Sequence, residues 1–188
     1  VDVSGTNAGA INLNSTGEIS LGGILNASST SNNGGDINIK SQYKIVQSYS
    51  SEINSLGNTN GGNILLSAPN IMSSGSVSAK GNQQGGYIDI ESEGYIRLLS
   101  SKIDVAGNTQ GGLVRIGGEF QGNNNLTRTE EQQNVFVDRW GERRSLTNAK
   151  TVLVSDGSRI DISSSEGKAG TAIIWSDQET TMLGNILA

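Results

Sequence analysis

A six-residue segment recurs along the chain and predicts its fold: GGDINI at 34–39, GGNILL at 61–66, GGYIDI at 85–90 and GGLVRI at 111–116. Apolar residues follow the second Gly of each pair at two and four positions. Alternation at period two is typical of a strand with one buried face. Successive Gly-Gly pairs are 27, 24 and 26 residues apart, so the segment belongs to a repeat of about 25 residues.

Each repeat holds two further short apolar patterns. Weaker copies of the first strand follow Gly9 and Gly170. A middle patch is carried by Ile19/Leu21, Ile45, Ile71, Ile96/Leu98 and Val152/Val154, and a closing strand by Leu25/Ala27, Ile53/Ser55, Val77/Ala79, Ile103/Val105 and Ile160/Ile162. Three strands per repeat predict an all-β chain, a parallel β-helix (solenoid) of about six coils. Stacked coils bury one aliphatic column.

Other repeat folds fit this pattern less well. A β-sandwich also has many short strands but no repeating Gly-Gly register, and the period excludes a helical repeat. Gly and Asn at the corners of each coil tolerate positive φ angles and tight bends.

The composition excludes several functional classes. The 188 residues carry a net charge of −5 and contain neither Cys nor His, which removes disulfides, thiolate metal sites and the commonest metal ligand. A pI near 4.7 argues against nucleic-acid binding, and no apolar run is long enough to span a membrane. We therefore expect no cofactor, no metal and no membrane insertion by this segment.

One coil is longer than the rest. From Gly111 to Ala169 it contains about 30 residues beyond the repeat, and we place this insertion at 123–147. It holds four of the seven arginines and two aromatic residues. Alternation from Asn134 to Trp140 predicts a β-hairpin packed outside the solenoid, with 1–188 as a single segment of a longer rod.

The insertion has two interpretations. It can shield an apolar face, with Phe136 and Trp140 packed down, or it can form a binding face. Insertions of repeat proteins often lie on the binding face, and Trp and Arg are enriched at binding hot spots. The candidate binding residues are Phe136, Arg139, Trp140, Arg143 and Arg144.

A series of segments in the second half resembles a known family. In order they are RIGGEFQG at 115–122, LTNAKT at 146–151, IDI at 160–162, GTAIIWSD at 170–177 and LGNI at 183–186. This series resembles the shaft of filamentous-haemagglutinin-like exoproteins of the two-partner secretion family. The earlier coils match only as generic Gly-Gly coils.

The resemblance implies a right-handed parallel β-helix that is exported through an outer-membrane β-barrel transporter to the surface of a Gram-negative bacterium or into its surroundings. Family members include adhesins, cytolysins, haem-scavenging proteins and carriers of contact-dependent toxins. The Asn-Pro motifs of the family's secretion domain do not occur, so we expect a downstream shaft segment. The predicted function is structural and adhesive, with a host receptor or glycan as partner.

Other activities have weaker support, and we expect no enzyme. A polysaccharide-degrading β-helix needs two carboxylates in a cleft. The candidates are Asp89 and Glu91 with Arg115 on the next coil, and the stacked Asp104 and Asp161. All lie at outward positions, where we expect solvated charges and an Asp89–Arg115 pair of little energetic consequence.

Two other solenoid functions lack their sequence signals. The threonines form no flat array for ice binding, and the nonapeptides of calcium-binding solenoids are absent. Asn60, Gln84 and Gln110 precede Gly-Gly pairs in register and predict an amide ladder at one corner.

Overall fold

Three parallel β-sheets form the wall of a solenoid in the computed structural model, which describes residues 1–123 and 129–188. The solenoid has about seven turns of about 26 residues, in close agreement with the predicted six coils of about 25. The additional turn begins at the N-terminus, where Asp2 pairs with Asn26 and Gly5 pairs with Ser29.

Each sheet takes one strand from each of six coils. Sheet 1 contains β1 (Ala10–Ser15), β4 (Asp36–Ser41), β7 (Asn63–Ser67), β10 (Tyr87–Glu91), β13 (Leu113–Ile116) and β16 (Thr171–Ile174). Sheet 2 contains β2 (Ile19–Leu21), β5 (Ile45–Gln47), β8 (Asn70–Ser73), β11 (Tyr95–Leu98), β14 (Thr151–Val154) and β17 (Glu179–Met182). Sheet 3 contains β3 (Ile24–Asn26), β6 (Glu52–Asn54), β9 (Ser76–Ser78), β12 (Lys102–Asp104), β15 (Arg159–Asp161) and β18 (Asn185–Leu187).

The alternation quoted from the repeats places the aliphatic residues in the bore. Ile37, Ile64, Ile88 and Val114 stack in register along sheet 1, and each is at most 2% exposed. Neighbouring strands in a parallel sheet lie about 4.8 Å apart, so equivalent side chains touch from coil to coil. Burial therefore comes from stacking, and an apolar fraction of only 34% is enough to fill the core.

The Gly-Gly pairs are required for close approach between coils, and they do not use the positive φ angles that glycine tolerates. A Cβ on Gly85 would overlap the carbonyl oxygen of Val105, and one on Gly86 would overlap that of Gly62. Among the described residues, positive φ angles occur elsewhere, chiefly around the insertion and at Gly157. Glycine is needed here because backbone fills the space that a side chain would take.

The predicted amide ladder is only partly confirmed. Asn60, Gln84 and Gln110 do stack in register through backbone bridges. The side-chain amide bonds join other pairs, with Asn82 Nδ2 donating to Asn58 Oδ1 at 2.9 Å and Asn32 Nδ2 donating to Asn7 Oδ1 at 2.7 Å. Amide bonds between coils therefore occur at this corner, but not at the three predicted positions.

The predicted β-hairpin in the insertion is wrong. The insertion contains the helix α1 (Glu130–Trp140), preceded by a kinked 3₁₀ segment at Phe120–Asn123. Thr129 caps α1 because its hydroxyl accepts from the N–H of Gln132 at 3.2 Å, and its own N–H donates to the Gln132 side chain. Gly141 ends α1 with a φ of 71°. Seven alternating residues fit a strand, but Phe136 and Trp140 lie four apart, on one face of a helix.

We expect a charge in the bore to unfold the solenoid. Ile90 is fully buried, so Ile90→Asp places an unpaired carboxylate in the aliphatic column and costs about 5 kcal/mol or more. Urea unfolding followed by circular dichroism measures this loss. Asn14→Asp at an exposed position of β1 is the matched control and leaves stability within about 0.5 kcal/mol. A folded Ile90→Asp variant of normal stability contradicts this account of the core.

Candidate functional site

The insertion leaves the wall after β13 and returns before β14, at the corner between sheets 1 and 2, and from here on the term covers all residues between these two strands, which include Glu119. The N–H of Gly117 donates to Ile90 O at 2.8 Å, so the coil is regular up to this point. The N–H of Ala149 donates back to Gly117 O at 2.8 Å and restores the stacking. The described part of the insertion lies over the outer face of sheet 1.

A buried guanidinium lies beneath the insertion. Arg115 is 0% exposed, although it occupies an outward position of β13. Its Nε and Nη2 donate to the two carboxylate oxygens of Asp89 at 2.8 and 2.7 Å, a bidentate pair set by the register of β10 and β13. Nη1 donates to Glu119 Oε1 at 2.8 Å and to the carbonyl oxygen of Arg144 at 3.0 Å.

The expectation of a solvated Asp89–Arg115 pair is therefore wrong. The insertion covers both residues and supplies two of the acceptors for the guanidinium. A charge that is taken out of water needs excellent geometry and full hydrogen bonding to be tolerated. These contacts meet that requirement and fix the insertion at one position on the rod.

Apolar packing covers the same face. Trp140 is 5% exposed and packs on Leu113 and Ile173, which point outward from β13 and β16. Its Nε1 donates to Thr171 Oγ1 at 3.2 Å, and its ring lies edge-on to Tyr87 at 6.1 Å between centroids. Trp140 and the partly buried Phe136 thus shield an apolar patch, as the shielding interpretation anticipates.

The return limb of the insertion is held by Glu91 of β10. Its Oε2 accepts from Arg144 Nη1 and from the N–H of Thr147, both at 3.1 Å. Burial opposes ionisation of Glu91, but bonds from Arg144, Thr147 and Ser67 outweigh it, so the pKa of this carboxyl is lowered. Glu91 serves as a structural acceptor on the outer face of sheet 1.

The other predicted binding residues lie around α1. Arg139 donates to the carbonyl oxygen of Ala169, and its guanidinium lies 4.8 Å from the Trp140 ring centroid. Arg143 follows α1 and stacks on Tyr87 at 3.8 Å. The structure thus brings all five predicted residues to one side of the rod, with Trp140 buried and Arg143 at the edge of an open groove. Their binding role stays a prediction.

This groove, which we call the sheet 1 groove, runs along three coils. Its floor is formed by outward residues of β4, β7 and β10, and the segment 142–144 stands at one end. It has a volume of about 460 Å³. The principal lining side chains are Asp36, Asn38, Lys40, Asn63, Tyr87 and Arg143.

The second pair of stacked carboxylates lies on a different sheet. Asp104 and Asp161 are in register on β12 and β15. Burial and the neighbouring Asp161 raise the pKa of Asp104, against the hydrogen bond from the N–H of Ala106 and the positive charge of Lys80. Burial also acts on Asp161, but bonds from Ser163 and Arg159 lower the pKa of that group. The two candidate carboxylate pairs therefore do not share one cleft.

Sequence reasoning missed the partners that bury Arg115. Glu119 and the carbonyl group of Arg144 come from either end of the insertion, and only folding brings them together. A signal was nevertheless present, because Leu113 and Ile173 are apolar at outward positions where most of the other coils carry a polar residue. Such residues indicate a covered face.

Comparison of the chain with protein-family models, with curated proteins and with solved structures finds no match. In residues 1–123 and 129–188, no group of three acidic side chains is placed to hold a metal ion. The same part of the chain has no helix long and apolar enough to cross a membrane.

We expect the buried network to be strongly coupled. Arg115→Met leaves Asp89 buried without its cation and removes the bond from Arg115 to Glu119, and it costs about 3–5 kcal/mol in urea unfolding. Combining it with Asp89→Asn removes the unpaired charge and restores most of that loss. The control is Arg159→Met, because Arg159 pairs with Asp161 at 2.8 Å but is 55% exposed, and costs at most about 1 kcal/mol. Equal effects of the two single variants contradict the buried network.

Glu91 makes stability depend on pH in the acid range. Because its folded pKa is lowered from 4.5, its stabilising contribution is fully present above that value and is lost as the pH falls through the lower folded pKa. Glu91→Gln removes this contribution. We expect the difference in unfolding free energy between the wild type and this variant to shrink between pH 5 and pH 3, as measured by urea titrations across that range. A constant difference contradicts the assignment.

Proposed function

We propose that this chain is a structural and adhesive shaft segment of a large exoprotein of the filamentous-haemagglutinin-like type. In this proposal the parent protein is exported through an outer-membrane β-barrel transporter to the surface of a Gram-negative bacterium. The shaft supports attachment to a host receptor or glycan, and the insertion provides the contact surface.

The supporting observation is that the insertion does not disturb the rod. Strands β10, β13 and β16 keep their register across it, as do β11 and β14 in sheet 2. A solenoid that stays regular on both sides of an insertion can display that insertion at a defined position. The bonds from Arg115 to Glu119 and to the carbonyl oxygen of Arg144, together with the buried Trp140, anchor the described part of the insertion to the rod, which lowers the entropic cost of binding.

A stiff, polar wall also suits a shaft. Asn and Ser occupy many outward positions, and the bore is continuous from Ile11 to Ile162. Such a rod separates its two ends by about 4.8 Å per coil without depending on any single large core.

The test is attachment of beads coated with the 188-residue chain to epithelial cells. The comparison variant replaces residues 120–147 with a short Gly/Asn corner, and it also carries Leu113→Asn, Arg115→Asn and Ile173→Thr, since these side chains lose their cover. We expect the wild type to attach at least tenfold above uncoated beads and the variant to lose most of this attachment. The variant must keep the β-rich circular dichroism spectrum of the wild type.

Two results bear on the outcome. Wild-type beads that attach no better than uncoated beads contradict the adhesive role. Equal attachment by both folded proteins contradicts the assignment of the contact surface to the insertion.

A further inference from the structure

The sheet 1 groove is an open, polar channel that is closed at one end by the insertion. Asp36, Asn63 and Tyr87 stack in one outward column along its floor, and Asn38 and Lys40 lie beside them. Three coils at about 4.8 Å give the floor a length on the order of 10–14 Å. A volume of about 460 Å³ falls within the usual range of small-molecule sites.

The closed end carries a cation that is held in place and has no anionic partner among residues 1–123 and 129–188. The guanidinium of Arg143 stacks on the Tyr87 ring at 3.8 Å, and its Nε is buried without a hydrogen-bond acceptor in the described residues. The neighbouring Arg144 differs, because its charge is paired with Glu91 at 3.1 Å.

The floor offers hydrogen-bonding groups of both kinds. Asn63 Nδ2 donates to Asp36 Oδ1 at 2.7 Å, which orients both side chains at the surface of β4 and β7. Among the described residues, the ammonium group of Lys40 and the carboxylate of Glu142 have no ion-pair partner. Such a mixture of donors and acceptors along a channel suits a ligand with many hydroxyl groups.

The charge balance limits how acidic that ligand can be. Lys40 and Arg143 provide two cations in the groove, and Asp36 and Glu142 provide two anions, while Asp89 is neutralised by Arg115. A densely charged polyanion is repelled by the two carboxylates. A single acid group at the Arg143 end is matched by the planar guanidinium.

We propose that the sheet 1 groove binds the end of an oligosaccharide that carries one acid group. The acid group lies against Arg143 at the closed end, and the sugar hydroxyls bond to Asp36, Asn38, Asn63 and Lys40 along the floor. The proposal rests on the adhesive role proposed above and names the class of its ligand. Carboxylate and sulfate present the same chemistry to Arg143, and the experiment separates them.

The experiment titrates the 188-residue chain with three saccharides that share one core: 3′-sialyllactose, which carries a carboxylate, 3′-sulfolactose, which carries a sulfate, and neutral lactose. Calorimetry or NMR shifts measure the dissociation constants. We expect at least one acidic saccharide to bind at least tenfold more tightly than lactose, and the tighter of the two identifies the acid group.

Two variants locate the site. Arg143→Gln removes the cation and keeps a polar side chain of similar length, so we expect it to bind the acidic saccharide no better than lactose. Lys102→Gln is the matched control, since Lys102 is exposed on β12 of sheet 3 and has no ion-pair partner in the described part of the chain, and we expect it to bind as the wild type does. Unchanged melting temperatures show that both variants keep their fold.

Three results overturn the proposal: no saturable binding of either acidic saccharide, equal affinity for lactose, or unchanged affinity in Arg143→Gln. The outcome is separable from that of the bead assay. If the chain attaches to cells but binds no saccharide, the ligand proposed here is wrong and the proposed adhesive role stands. If the chain binds an acidic saccharide but does not attach to cells, the groove is a binding site and the proposed adhesive role is wrong.

Discussion

In-register stacking of parallel strands is the constraint on which every other feature depends. Each residue meets its counterpart one coil above and one coil below, so a side chain's environment is set by its column as much as by its own chemistry. The inward-facing columns are aliphatic. At the corners the backbone of one coil packs directly on the backbone of the next, as it does at Gly85 and Gly86. The same rule places Asp89 directly beside Arg115, which makes a bidentate pair possible.

The insertion buries side chains that would otherwise be exposed on the outer face of sheet 1. Two outward apolar residues, Leu113 and Ile173, are unfavourable on a bare wall but receive Trp140 as a cover. Arg115 is then removed from water, which is tolerated because Asp89, Glu119 and a backbone carbonyl satisfy its donors. The insertion is therefore bound to the rod by one apolar and one ionic cluster side by side. Its far edge, at Arg143, remains open to the sheet 1 groove.

Much of the fold was predictable because the signal is repeated. Six copies of one apolar alternation give the strands, their register and the residues of the bore, and errors in one copy are corrected by the others. The insertion occurs once, so no second copy distinguished a helix from a strand between Asn134 and Trp140. The start and the end of its helix depend on local signals, the Thr129–Gln132 capping box and Gly141 respectively, which are weaker than a repeat. The candidate site is hard to predict for the same reason, because Glu119 and Arg144 come close to Arg115 only where the insertion folds back onto sheet 1.

The sequence by itself determined the solenoid, its period and its aliphatic column, because periodic contacts between neighbouring coils follow directly from periodic residues. It also placed Phe136, Arg139, Trp140, Arg143 and Arg144 together on one insertion. Only the tertiary structure decided which of these residues are buried and which line the groove. The physical reason is that an insertion has no coil above or below to dictate its partners. Its position is set by the outward residues of sheet 1 that it buries. Leu113 and Ile173 pack against Trp140, and the guanidinium of Arg115 bonds to Glu119 and to the carbonyl oxygen of Arg144.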